Sequence, residues 1–111
     1  METIDRGTFK ALQDMAGAEF VIELVDAFLE EAPIMLESLR DSLAARDAER
    51  FRRAAHSLKS NSNTFGALAL GALAKDLELG GLQGALGKPD PLGAVEAEYG
   101  VVAAALKELA R

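Results

Sequence analysis

The sequence predicts an all-α protein, an antiparallel four-helix bundle with a short additional N-terminal helix. Three observations carry this. Ala and Leu dominate a 111-residue chain that is 50% hydrophobic but only 5% aromatic, a mixture that favours helix. Apolar residues recur at steps of three and four along the chain, and no stretch shows the strict alternation of a strand. Between the apolar stretches lie residues that start or stop helices. The length suits one domain spanning residues 1–111, large enough to bury roughly two-thirds of its unfolded surface in one core.

Taken in order, Asp5 to Met15 reads as the short helix, with Ile4, Phe9 and Leu12 turned inward and Gly17 closing it. From about Glu19 to Arg46, Val21, Leu24, Val25, Phe28, Ala32, Met35, Leu39 and Leu43 hold one face. Pro33 lies inside this pattern, removes an amide donor and predicts a kink or short break near Glu31. Asp47 can cap the next helix, which ends near Thr64 or Phe65 with Gly66 free to turn left-handed. Its last turn, Asn61-Ser62-Asn63-Thr64, is poor helix-forming material and is expected to fray.

The fourth segment, Ala67 to Leu79, sets Leu70, Leu73, Ala74 and Leu77 on one face, and Gly80-Gly81 stops it. A loop is expected from Leu82 to Pro89. Asp90-Pro91 then signals a helix start, an N-cap followed by proline at the first helical position. The last helix repeats Leu92, Val95, Tyr99, Val102, Leu106 and Leu109, a narrow bundle seam. One seam per helix is used up by an intramolecular core, so the chain is expected to be a monomer.

Composition narrows the function. The formal net charge of −6 argues against nucleic acid or an anionic membrane as partner. No run approaches the roughly 20 apolar residues of a membrane span, the acidic start Met1 to Asp5 is no signal peptide, and a cytoplasmic protein is expected. Without cysteine there is no disulfide framework and no cysteine zinc site. No phosphate-binding glycine loop and no His/Cys metal cluster occur, and one histidine cannot build a triad or a di-metal bundle site. Neighbouring acids such as Glu30 and Glu31 fall on an outward face, where solvation explains them.

That histidine, His56, is the most informative residue. Phe51, Ala54, Ala55, Leu58, Ser62 and Phe65 mark the inward face of its helix. At roughly 100° per residue, His56 projects about 150° from the centre of that face, on the side of Arg52, Lys59, Ser60 and Asn63. Arg50, Arg52, Arg53 and Lys59 bracket it, with no acid between Arg50 and Asp76. An exposed imidazole among cations is suited to carrying a phosphoryl group as a phosphoramidate: a partner can close over it, and the cations offset the added charge. A water-activating base of its own would discharge it. A lone metal or haem ligand is the residual alternative for the same residue, and a solvated helix face is the plain alternative for the cations.

The run His56-Ser57-Leu58-Lys59, followed by a small polar stretch and Gly66-Ala67, resembles the signature of histidine-containing phosphotransfer (HPt) domains of two-component phosphorelays. Phe28-Leu29-Glu30-Glu31-Ala32-Pro33 with Leu36 and Leu39 is similar to that family's second helix, and Leu73, Leu77 and Glu78 to the segment after the histidine helix. The resemblance implies that His56 is phosphorylated and that Lys59 supports the phosphoryl oxygens. It implies a polar side chain on the next helix near the histidine, for which spacing offers Glu78 or Lys75. Glu78 would repel a phosphoryl group, so Lys75 is preferred. Ser60 stands where the family usually has glycine, at the point of closest approach.

The resemblance further implies response-regulator receiver domains or a hybrid histidine kinase as partners, and Mg²⁺ supplied by the receiver. The chain is then a phosphocarrier without catalytic activity or cofactor of its own. Histidine-kinase dimerisation domains are the nearest relatives to exclude. They typically follow their histidine with an acid and, a few positions on, a proline; here Ser57 follows, and no proline lies between Pro33 and Pro89. A non-catalytic helical adapter, with His56 incidental on its surface, is the reading from a different class.

Overall fold

The computed structural model describes residues 3–110, so Met1 and Glu2 of the acidic start lie outside the described residues. It contains α1 (Arg6–Ala16), α2 (Ala18–Ala45), α3 (Ala48–Thr64), α4 (Leu68–Leu86) and α5 (Gly93–Leu109), with no strand among the described residues. Short connections fold α2, α3 and α4 back on one another, α5 packs on α4 and α2 to complete the bundle, and α1 lies against α2 and α3.

Helix ends follow the capping chemistry closely. Asp5 accepts from the Thr8 amide at 3.0 Å and Asp47 from the Arg50 amide at 3.1 Å, which starts α1 and α3 where acids precede apolar patterns. Gly66 has φ +85°, and a Cβ there would lie 2.7 Å from the Asp5 carbonyl oxygen. Its own carbonyl accepts from the Asp5 amide at 2.8 Å. The glycine therefore ties the start of α1 to the α3–α4 corner, a closeness that a side chain would prevent. The polar stretch before it remains helical to Thr64 rather than fraying. Its side chains give the reason: Asn61 donates to the Ser57 carbonyl at 2.8 Å, and Thr64 to the Ser60 carbonyl at 3.0 Å.

In three places the backbone departs from the periodicity reading. First, α2 runs through Pro33 without a break. Proline cannot donate to the Leu29 carbonyl one turn back, but the Tyr99 hydroxyl of α5 approaches that oxygen at 3.5 Å. The same ring stacks edge-on against Phe28, which also packs on Phe65 at 5.3 Å between centroids. Burial pushes the Tyr99 phenol pKa up. Second, Gly81 does interrupt α4, at φ 64° and ψ −168°, but helix resumes to Leu86 where a loop was expected. Leu82 and Ala85, one turn apart, are both buried, and their contact with the core holds that extra turn. Third, regular helix in α5 begins at Gly93 rather than at Pro91. Asp90 still accepts from the Gly93 amide at 3.1 Å, while burial of Leu92 fixes the turn between them.

The core is continuous through all the helices: Phe9 and Leu12 from α1, Val21, Val25, Phe28 and Leu39 from α2, Phe51 and Leu58 from α3, Leu70 and Leu77 from α4, Val95, Val102 and Leu106 from α5. Two serines join it. Ser42 donates back to the Leu39 carbonyl at 3.1 Å, whereas the Ser62 hydroxyl has no hydrogen-bond partner among the described residues.

Candidate functional site

The apolar face of α3 fixes where His56 points. Phe51, Ala54, Ala55, Leu58 and Ser62 are all buried, so the opposite side of the helix faces solvent. His56 lies there in mid-helix, its side chain 55% exposed. Arg52, Ser60 and Asn63 are exposed along the same side and Lys59 is half-buried.

A carboxylate from α4 organises this surface. Glu78 places Oε2 at 2.8 Å from His56 Nδ1 and Oε1 at 2.7 Å from Lys59 Nζ. The hydrogen bond from Lys59, then that from His56, holds the Glu78 carboxyl below its usual pKa. One ionised group on α4 thus grips a histidine and a lysine on successive turns of α3.

The cations that bracket His56 are paired with acids from outside the stretch between Arg50 and Asp76. Arg52 grips Glu49 with two hydrogen bonds, of 2.7 Å and 3.3 Å, and the pair raises the arginine pKa while lowering that of the acid. Arg53 shares Glu49 at 3.8 Å. Arg50 reaches back to α2, to the Ser38 hydroxyl at 3.1 Å and Asp41 at 3.7 Å. Each of the four α3 cations that bracket His56 therefore has a carboxylate partner. The Glu49 pairs are readable as neighbours three and four residues apart on one helix; Asp41 arrives only through the fold, and the fold decides for Glu78 between the two α4 residues that spacing offers.

Other candidates fall into place around this centre. Ser60 lies one turn beyond His56 and is exposed. Asn63 folds its amide over α4 at Gly71, where a Cβ would collide with the Asn63 oxygen. Lys75, preferred above as the α4 group near the histidine, is exposed on the stretch between Gly71 and Glu78 and makes no ion pair among the described residues. The antiparallel register sets Gly71 against Asn63 and Glu78 against His56, so the bonded polar neighbour of His56 on α4 is Glu78. Among the described residues, no group of three or more His, Asp or Glu side chains converges as a metal site. No helix is long and apolar enough to cross a membrane.

An exposed ring nitrogen beside a fixed carboxylate and a lysine can act as a nucleophile and keep a transferred anionic group near a cation. Comparisons with known proteins point the same way. The Hpt domain model matches residues 23–111. A search of curated proteins returns no significant match. Among solved structures, the fold is similar to histidine-containing phosphotransfer protein B of Pseudomonas aeruginosa PAO1, with a TM-score of 0.87 and 30% identity, covering 97% of this chain and 94% of that one. With the family model matching most of its length and the whole bundle shared, the chain belongs to the Hpt domain family, which performs histidine phosphotransfer in two-component phosphorelays.

Proposed function

We propose that His56 is the phosphoryl carrier: it accepts a phosphoryl group from the aspartate of a receiver domain and passes it to another receiver. One observation carries this reading. The chain's single imidazole stands exposed in the middle of α3, with Lys59 one turn along and drawn to the same carboxylate. In transfer, the lone pair of a ring nitrogen forms a bond to phosphorus as the bond from phosphorus to the aspartyl oxygen breaks, and the carboxylate leaves with that electron pair. The receiver brings Mg²⁺, which offsets charge on the phosphoryl oxygens, and most of the electrostatic stabilisation. This chain supplies the nucleophile, Lys59 as a supporting cation and a docking rim.

On that rim, Ser60 sets the clearance for close approach, and Arg52, Asn63 and Lys75 offer outer polar contacts. The partners in this reading are response-regulator receivers or a hybrid histidine kinase, met in the cytoplasm. The chain acts as a monomeric phosphocarrier of a single domain, with no catalysis or cofactor of its own.

The experiment is incubation with a phosphorylated receiver domain, followed by chemical typing of the phosphate on this chain. A histidine carrier gives an acid-labile, base-stable label that maps to His56. An unlabelled chain supports the adapter reading instead, and an acid-stable label places the chemistry on a hydroxyl.

A further inference from the structure

Two turns of α3 from His56, a side chain missing from α4 makes room for a side chain of α3. We propose that Gly71 is a positioning residue for transfer: it lets the Asn63 amide lie flat on α4, which keeps the face around His56 low enough for a receiver domain to close on it. The inference rests on His56 being the carrier, but its first test is independent of phosphorylation.

A Cβ on Gly71 would lie 2.8 Å from Asn63 Cγ and closer still to the Asn63 oxygen, and the three atoms nearest it all belong to that one side chain. Both backbones are fixed. The Gly71 amide donates to the Ala67 carbonyl at 2.9 Å, and the Asn63 carbonyl accepts from the Gly66 amide at 3.1 Å. The Asn63 side chain is the part that can yield, because it is exposed and makes no hydrogen bond among the described residues. Gly93 provides the contrast. A Cβ there would meet Asp90, but the Asp90 carboxylate is held where it is by the Gly93 amide at 3.1 Å. Asn63 has no such bond, so the bare surface of Gly71 sets where its amide lies.

Transfer is affected because of where a displaced amide would go. Seven residues at roughly 100° each bring Asn63 back to within about 20° of the direction of His56, and a rise of about 1.5 Å per residue puts it about 10.5 Å along the helix. Its inner neighbour Ser62 is buried, so the amide can turn only outward, onto the side that carries His56 and Ser60. A receiver domain closing over His56 covers a wider face than that. It would have to push the amide aside before phosphorus and the ring nitrogen meet.

A Gly71 needed only for helix packing predicts something different. Gly71→Ala would then lose stability, and transfer would fall only with the folded fraction. Positioning predicts a variant no less stable in urea, because alanine is the better helix former and Asn63 gives way. The first test is geometric: in the wild type the Asn63 side-chain amide protons should show a nuclear Overhauser contact to Gly71 Hα. Its absence would overturn the inference before any transfer is measured.

With a phosphorylated receiver domain as donor, Gly71→Ala should need about three- to fivefold more receiver for half-maximal transfer, the scale of reordering one side chain at an interface. The maximal rate per folded molecule should stay near wild type. Phosphoramidate is too small a donor to meet the rim, so with it the variant should keep pace with the wild type. There the P–N bond breaks as the histidine N–P bond forms, and ammonia leaves with a proton from water. Asn63→Ala loses only an outer contact, and the double variant Gly71→Ala/Asn63→Ala should match it rather than Gly71→Ala, because no amide is left to displace. A double variant as slow as Gly71→Ala, equal slowing with both donors, or a Gly71→Ala that unfolds or transfers only in step with its folded fraction would overturn the positioning role. A wild type that takes no phosphoryl group from a receiver overturns the carrier reading, and the part of Gly71 in transfer with it.

Discussion

The two sides of α3 differ in what makes them work. The inner side, Phe51, Ala54, Ala55, Leu58 and Ser62, is closed off from water, and its contribution is burial. On the outer side Arg52, His56, Lys59 and Ser60 keep access to water or to a partner, and their properties come from groups elsewhere: Glu49 one turn back, Glu78 across on α4. The inner side is specified by a period, the outer side by particular partners. A substitution on one side should therefore damage stability and spare chemistry, and the reverse should hold on the other.

The largest stability effect separates them most cleanly. Leu58, fully buried two residues from His56, should cost about 2–5 kcal/mol on truncation in Leu58→Ala. Urea unfolding measures that loss. The phosphoryl acceptance rate per folded molecule should stay near wild type; a rate that falls further than the folded fraction would mean the inner side takes part in the chemistry.

Next come two outer-side changes with different physical causes. Lys59→Ala removes the supporting cation and leaves Glu78 uncompensated beside the phosphoryl group, so transfer from a receiver should slow about tenfold at low salt and recover part of that as salt rises. Ser60→Gln obstructs close approach and should slow transfer about threefold at every ionic strength, while Ser60→Gly is neutral or faster. Rates measured against salt for the variants check this division. Equal salt responses would sink it, and a full-rate Ser60→Gln would put docking elsewhere.

The smallest effect sharpens the comparison from within. Ser62 is a polar residue on the inner side whose hydroxyl is buried without a partner among the described residues, unlike Ser42, which bonds the Leu39 carbonyl. Ser62→Ala should therefore stabilise the fold by up to about 1 kcal/mol, read from the urea midpoint, because it removes an uncompensated desolvation cost. A loss of stability would mean that the hydroxyl makes a bond the fold depends on.

How much of this was legible in the sequence follows the same division. Period and caps are enough for the helical class, the buried side of α3, the Asp47 cap and the outward direction of His56, because each depends on residues within a turn or two; that Asp5 caps α1 rather than opening it is seen only in the structure. What escaped depends on contacts between helices. The sequence offers a kink or short break at Pro33, and the structure excludes the break; the Tyr99 hydroxyl that approaches the orphaned Leu29 carbonyl comes from 70 residues away. The turn from Leu82 to Leu86 reads as loop in the sequence because its glycines are visible there and its burial against the core is not. The pairing of the cations around His56 with Asp41 and Glu78 depends on tertiary packing, and charge alone favours Lys75 over Glu78 where the α3–α4 register sets Glu78 against the ring.

The central claim is that the outer side of α3 carries the phosphoryl group on His56. The most direct measurement compares wild type with His56→Gln after exposure to a phosphorylated receiver domain, with urea unfolding run in parallel. The account predicts an acid-labile, base-stable label on the wild type and none on the variant, with stabilities within about 0.5 kcal/mol because the side chain is on the surface. A labelled His56→Gln would contradict the assignment of the carrier, and an unfolded one would contradict the placement of His56 on the surface.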